Sequence, residues 1–498
     1  MAQNVKLQTE LQVLRTVNER LMSYNVEMTE VTGGTFWKAY TPGQIAGTEQ
    51  FPPIRSAAEM ANLMQWYDPI ESTNPRLIKL AKEFGPVWVR VSGTWATKTY
   101  YDFDGKGMPE GYQSAMTREQ WVNLINFVDA VGAKLLISVA NCEGLHHAEE
   151  PWNPSEAEKI FSLSKELGHP IDAVEFTNEP NMMEMTGFPQ GYTPEHFRRD
   201  QDLFHKWVRA NYPDTLVVGP CTIDTMSTKE PTDKSAAGIG AAFGTTCSTD
   251  ELLEGCAEKI DVFSYHYYNG ISERLASMMP QMHWQPEEAT SEAYLAMAGN
   301  CAINGVPYRD KYVPGGEMWV TESGDAGGGG DTWASTYLDV FRTLNELGHF
   351  STITDGVIFH NTLASSDYGF LKHGTYLPRP NYFAVLLWTR LMGTTVYATG
   401  EEIREGAHVY AHSRKDGKEG IVYLVINNSV TDATTVELPK DAEVYILSGE
   451  QGVRSTVMSL NGQELALGEN DALPEMKGKH TAAGQLELAP ATCSFIVL

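Results

Sequence analysis

Residues 171–181 read IDAVEFTNEPN: a short apolar run that breaks into a polar turn, with Asn178, Glu179 and Pro180 at its end. Runs of this kind recur along the chain. Upstream lie MSYNVEM (22–28), PVWVRVSG (86–93) and AKLLISVAN (133–141). Downstream lie TLVVGP (215–220), IDVFSYHYY (260–268), EMWVTESG (317–324) and DGVIFHNT (355–362). Between most of them stand longer amphipathic stretches: AAEMANLMQWY (57–67), PRLIKLAKEFG (75–85), REQWVNLINFVDAVG (118–132), PSEAEKIFSLSKELG (154–168), HFRRDQDLFHKWVRANY (196–212), ELLEGCAEK (251–259), TWASTYLDVFRTLNELG (332–348) and NYFAVLLWTRLMG (381–393). Strands alternating with helices predict a parallel sheet, and eight such units predict a closed (β/α)8 TIM barrel of the α/β class. Glycine ends several of the helical stretches, where a left-handed C-cap belongs.

After about Thr394 the helical period stops. TTVYATG, HVYAHSRK, GIVYLVINNS, TTVELP, AEVYILSG and CSFIVL are short strands separated by turn signals, the pattern of a β-sandwich. The expected organisation is a catalytic barrel over 20–394 and a C-terminal β-sandwich over 395–498. One or two strands from 1–19 join the sandwich, since LQVLRTV precedes the first barrel strand.

The chain carries 37 Lys+Arg against 64 Asp+Glu, a formal charge of −27. Such a surface repels phosphate backbones, which argues against a nucleic-acid partner, and it weakens any reading as a tight binder of sulfated polysaccharide. No run approaches the ~18 apolar residues of a membrane span. The opening MAQNVKLQTELQV has no apolar segment of a signal peptide. The expected compartment is the cytoplasm, or the exterior or periplasm with a leader removed; the oligomeric state is left open. Six cysteines form no CxxC pair and no metal spacing. A Cys247–Cys256 disulfide is possible, but free buried thiols are favoured.

Active sites of this barrel form at the C-terminal ends of its strands. The fourth candidate strand ends in Asn178 and Glu179, the seventh in Glu322. Two carboxylates across one barrel mouth suit glycoside hydrolysis: one protonates the leaving oxygen, the other attacks the anomeric carbon, and a separation of about 5–5.5 Å means retention. One of Glu179 and Glu322 is read as the proton donor and the other as the nucleophile, and Asn178 as a partner for the sugar 2-OH. The sixth strand ends in Tyr265-His266-Tyr267-Tyr268, so an aromatic hydroxyl or imidazole of this run is placed to orient Glu322, and His266 and Tyr268 are taken as candidate substrate-site residues. After Glu322 comes SGDAGGGGD, whose glycine amides can form an anion-binding nest. Neither a metal nor an organic cofactor is called for by this chemistry.

At these residues the sequence resembles the heparanase and β-glucuronidase family, family 79 of the glycoside hydrolases. TNEPN (177–181) resembles its acid/base motif, and TESGDAGGGG (321–330) its nucleophile motif with the following glycine loop. RVSGTWAT (90–97) resembles the segment after strand two, and PRPNYFAVLLWTRLMGTTV (378–396) the last barrel helix and the crossing into the sandwich. The resemblance implies a retaining glucuronidase, with Glu179 as acid/base and Glu322 as nucleophile. It places Glu27 on ring hydroxyls and Thr94 near the sugar. It also puts the backbone amides of Gly328 and Gly329, with Tyr368 of the SSDYG loop, on a glucuronate carboxylate. Two departures stand out. Gly327 replaces a tyrosine that relatives often carry before the glycines, and Met185 replaces a lysine found six residues after the acid/base in heparan-cleaving relatives. The long irregular stretch 33–53 is expected to wall off one end of the cleft, with Trp37 as a stacking platform, leaving an exo-acting pocket. The reading is therefore an exo-β-D-glucuronidase acting on a glucuronic-acid-containing carbohydrate. The alternatives are an endo-acting cleaver of acidic polysaccharide, a barrel glycosidase for neutral sugars, and a non-catalytic sugar-binding relative.

Overall fold

The computed structural model describes residues 3–55, 57–223 and 247–498. Eight strands close into an all-parallel barrel: β1 (Met22–Glu27), β2 (Trp88–Ser92), β3 (Lys134–Ser138), β4 (Ala173–Glu175), β5 (Leu216–Ile223), β6 (Val262–Tyr268), β7 (Met318–Gly324) and β8 (Ile358–His360). Each pairs with its sequence neighbour, and β8 closes on β1 through Ile358 opposite Met22. The chain has the (β/α)8 fold that the alternation predicts. Helices follow the strands, among them Arg118–Val131, Pro194–Asn211, Glu292–Tyr312 and Leu338–Ile353. Arg118–Val131 shows why such segments start and stop where they do. Thr117 caps it by accepting from the Gln120 amide, and Gly132 ends it at φ 69°. Its Trp121, Leu124, Ile125 and Val128 face the barrel.

Along each strand alternate residues point inward. On β2 these are Trp88, Arg90 and Ser92, and they mark the levels of the barrel interior. The lowest level is apolar, with Trp88, Leu136, Val218, Trp319 and Phe359 packed together. The next is polar and carries Arg90 and Glu175. The mouth above it holds the candidate site.

The C-terminal strands form a nine-stranded sheet and a three-stranded one. Apolar side chains of both, including Val5, Val409, Val425, Val436, Leu488 and Ile496, form one cluster. The N-terminal residues contribute to both sheets. Gln3–Lys6 pairs in parallel with Thr434–Leu438, and Gln12–Thr16 pairs antiparallel with Met392–Ala398. Tyr337 ties the units together, its hydroxyl donating to the carbonyl of Leu447 at 2.7 Å.

Three expected elements differ from what forms. Residues 57–67 were expected to be helical, but only a 3₁₀ stretch, Ala57–Leu63, forms. Met64–Tyr67 is a strand paired with Gly34–Trp37; with aromatic residues in MQWY and a waiting partner strand, cross-strand pairing wins over helix propensity. The stretch 251–259 yields only the short helix Thr249–Leu253, stopped before Gly255 at φ 87°. The helix expected from 332 begins at Leu338. All six cysteines are free; the Cys256 thiol donates to the Leu252 carbonyl rather than bonding Cys247.

Candidate active site

Two charges buried in the barrel organise the site. Arg90 on β2 and Glu175 on β4 are nearly solvent-free, and Arg90 Nη2 meets Glu175 Oε1 at 2.6 Å. Ser92, Ser138 and the Cys221 thiol also donate to this carboxylate. Burial alone would push Glu175 up, but the guanidinium overrides it and holds the acid at about 2. Burial likewise opposes the charge on Arg90, and the pull of Glu175 and Glu322 raises its pKa nonetheless.

From this pair the guanidinium reaches three further groups. Nη1 donates to Glu322 Oε1 at 3.0 Å, and Nη2 donates to Asn178 Oδ1 at 2.8 Å and lies 3.3 Å from His266 Nε2. Because an arginine can only donate, His266 Nε2 must accept, so Nδ1 carries the ring proton. That Nδ1–H donates to Glu179 Oε1 at 3.0 Å. The same logic orients Asn178: its oxygen is taken, and its amide N–H groups remain for a ligand.

Glu322 at the end of β7 accepts a second hydrogen bond, from Tyr268 Oη at 2.6 Å. Both of its oxygens thus face donors. Glu179 stands in the left-handed region at φ 46°, a backbone state that costs an L-residue about 1–2 kcal/mol. Its amide donates to the Cys221 carbonyl at 3.2 Å, which helps to hold the turn. Burial, and the nearby charge of Glu322, raise the pKa of Glu179, while the His266 hydrogen bond pulls the other way. Oxygens of Glu179 and Glu322 and a nitrogen of His266 lie within 4.8 Å of one another. Such a trio can ligate metals elsewhere, but here a cation would stand against the Arg90 guanidinium and be repelled by it.

A cavity of about 310 Å³ opens over the pair. Of the residues singled out from sequence, Glu27, Thr94, Asn178, Glu179, Tyr268, Glu322, Gly328 and Tyr368 line it. His266 and Gly329 are not in the wall. His266 lies behind the glutamates, and Gly329 is packed between Trp37 and Ser366. Burial and the charge of Glu322 raise the Glu27 carboxyl well above the usual range. A Cβ on Gly93, at φ 89°, would sit 1.8 Å from Glu27 Oε2, so only glycine lets β1 and β2 approach here.

The glycine loop is pinned from outside. The carbonyl of Gly327 accepts from the Ser272 amide at 2.9 Å, and that of Gly328 accepts from Ser272 Oγ at 3.0 Å and Arg274 Nη1 at 3.2 Å. A trans peptide points its N–H opposite its C=O, so the amides of Gly328 and Gly329 point away from those anchors. Neither donates to another group among the described residues, whereas the amides of Gly327 and Gly330 are taken by Gly270 and Ala326. Asn361 Nδ2 donates to both Tyr268 Oη (2.9 Å) and Tyr368 Oη (3.1 Å). The Tyr368 hydroxyl therefore keeps its own proton for a ligand.

The irregular stretch after β1 lies over this loop. Trp37 lines the cavity and presses its Cβ against Gly329. Arg274, fully buried, bonds the carbonyls of Lys38, Gly328 and Gly330, and stacks 3.7 Å over Tyr40.

Sequence reasoning passed over Arg90, Glu175, Asn361 and Arg274. A signal existed for the first two. An arginine within PVWVRVSG and a glutamate within IDAVEF are charges inside fully apolar barrel strands, where a charge persists only when paired. Asn361 and Arg274 carried no comparable mark.

No family model matches the chain. Heparanase-like protein 1 of Arabidopsis thaliana is 24% identical over 485 residues, covering 86% of this chain and 85% of its own. A hyaluronoglucuronidase of Hirudo nipponia is 24% identical over 496 residues, covering 91% and 94%. Among solved structures, a 4-O-α-L-rhamnosyl-β-D-glucuronidase from Fusarium oxysporum superposes with a TM-score of 0.63 at 11% identity, over 99% of this chain and 100% of that one.

Proposed function

We propose that this chain, a member of the heparanase and β-glucuronidase family (glycoside hydrolase family 79), is a retaining exo-β-D-glucuronidase that removes terminal glucuronic acid by double displacement. The observation that carries the reading is the close approach of Glu179 and Glu322 oxygens, within 4.8 Å. Retaining enzymes hold their carboxyl groups about 5–5.5 Å apart, and inverting ones leave ~6.5–9.5 Å for a water.

Glu322, oriented by Arg90 and Tyr268, attacks the anomeric carbon and forms a glycosyl ester. Glu179 gives its proton to the departing oxygen. His266 donates to Glu179 Oε1, which assigns the acidic proton to Oε2. Glu179, now ionised, then takes a proton from water, which attacks the ester and frees Glu322. The two glutamates divide the roles through their surroundings: burial raises the pKa of Glu179, and hydrogen bonds from Arg90 and Tyr268 hold Glu322 in place for attack. Asn178 offers its amide to the 2-OH, a contact that strengthens in the transition state. The amides of Gly328 and Gly329 and the hydroxyl of Tyr368 are unspent donors for the glucuronate carboxylate. The Trp37 segment over the glycine loop supports exo action, because it closes the cavity beyond that carboxylate.

The test is hydrolysis of an aryl β-D-glucuronide beside the matching β-D-glucoside, with wild type and Glu322→Gln. The expected result is strong preference for the glucuronide, loss of nearly all turnover in the variant, and retained β-configuration in the first product seen by NMR. Equal cleavage of both sugars, or undiminished activity in Glu322→Gln, would overturn the assignment.

A further inference from the structure

The half of the cavity beyond Glu179 has a chemistry of its own. The leaving group must lie on the Glu179 side, because that residue protonates the departing oxygen. The turn after Glu179 supplies Met182 and Met185; Phe36 comes from the strand Gly34–Trp37, and Trp95 from the loop after β2. Phe36 packs edge-on to Trp95 with ring centroids 5.5 Å apart. A second sugar ring could stack on an aromatic face here but would also need several hydrogen-bond partners, and Met182, Met185 and Phe36 supply none. Methionines adapt to flat, irregular apolar shapes.

One charged group stands among them. Lys98 lines the same cavity, its aliphatic stem pressed against Gly187, where a Cβ would fall 2.4 Å from Lys98 Cδ. Gly187 ends the short helix that follows Glu179, so the lysine is fastened to the acid/base side. No carboxylate among the described residues pairs with its ammonium; the nearest recorded partner is the Trp95 ring at 6.0 Å. In a chain of net charge −27 a half-buried lysine with no carboxylate partner among the described residues is out of character. Burial lowers its pKa, the mark of a charge held without compensation.

We infer that this half of the cavity is an aglycone site for a flat, apolar leaving group carrying an acidic substituent, with Met182, Met185, Phe36 and Trp95 holding the ring and Lys98 holding the anion. The substrate class is aryl glucuronides bearing a carboxylate or sulfate, rather than glucuronosyl saccharides. This rests on the glucuronidase reading above.

The experiment compares kcat/KM for 4-(carboxymethyl)phenyl β-D-glucuronide and its neutral carbamoylmethyl analogue. The methylene insulates the phenol, so the leaving groups are closely matched in acidity. In wild type the ratio is expected to favour the acid and to decline as salt rises. In Lys98→Met it is expected to drop about tenfold, the value of one hydrogen bond to a charged group, and to recover in Lys98→Arg. A wild-type ratio at or below one, or a ratio unmoved by Lys98→Met, overturns this inference while leaving the glucuronidase reading intact. So does a preference of more than about tenfold for a glucuronosyl disaccharide over both aryl compounds. Failure to cleave any glucuronide overturns the reading beneath it instead.

Discussion

Replacing Arg90 with methionine is expected to destabilise the protein by about 3–5 kcal/mol at neutral pH, although the new side chain fills nearly the same space. The guanidinium holds Glu175 at about 2, against 4.5 for an unperturbed glutamate. At 1.36 kcal/mol per pH unit this difference is worth about 3 kcal/mol of native stability. The sign follows from the depressed pKa. The contribution is whole above the unfolded value of 4.5 and is lost as pH falls through it toward about 2. Without Arg90 the buried carboxylate has no cationic partner and must take up a proton to stay inside. Removing the acid as well, in Arg90→Met/Glu175→Gln, is expected to restore most of the loss, because no charge then remains to bury. The assay is urea unfolding followed by tryptophan fluorescence from about pH 7 to about pH 3, with wild type, single and double variants. A single variant within about 1 kcal/mol of wild type, or a double variant no more stable than the single, would refute the reasoning. Both variants are expected to be inactive, since Glu322, Asn178 and His266 lose their common partner.

Tyr268→Phe removes the 2.6 Å hydrogen bond to Glu322. It is expected to lower kcat about ten- to a hundredfold with little change in KM, and an unchanged kcat would show the hydroxyl to be idle. The proposed mechanism needs the acid form of Glu179 in its first step, so activity is expected to be lost as pH rises through its raised pKa. His266→Leu deletes the hydrogen bond that lowers that pKa, and the alkaline limb of kcat/KM is expected to move to higher pH; a downward move would mean that the imidazole acts otherwise. Gly328→Ala puts a Cβ at φ 92° and 2.8 Å from Ser272 Oγ. It is expected to cut kcat/KM for an aryl glucuronide about tenfold and to spare the residual glucoside rate; equal losses on both would deny the loop a role at the carboxylate.

The barrel was legible because its cause is local. Eight apolar strand runs alternate with amphipathic stretches, and a parallel sheet of that composition must be covered on its outer face by helices. The two glutamates were legible for the same reason: strand ends are known once strands are known, and Glu179 lies four residues beyond β4 while Glu322 lies two residues before the end of β7. The segment 57–67 shows the limit of such reasoning. Its apolar spacing fits a helix in isolation, and only the presence of Gly34–Trp37 alongside makes Met64–Tyr67 a strand.

Sequence by itself determined the elements, their order, the acidic surface and the identity of the paired carboxylates, because each depends on residues close in the chain or on sums over it. Tertiary structure alone decided what gives those carboxylates different work. Arg90, Glu175, Asn178, His266 and Glu322 come from four different strands or their ends, and their contacts span 85 to 232 residues. The amides that the glycine loop leaves unspent among the described residues, and the lysine without a carboxylate partner among them beside Gly187, were likewise settled only by what packs around them. A hydrogen bond or an electrostatic field is set by distance and burial in three dimensions, and sequence separation carries neither.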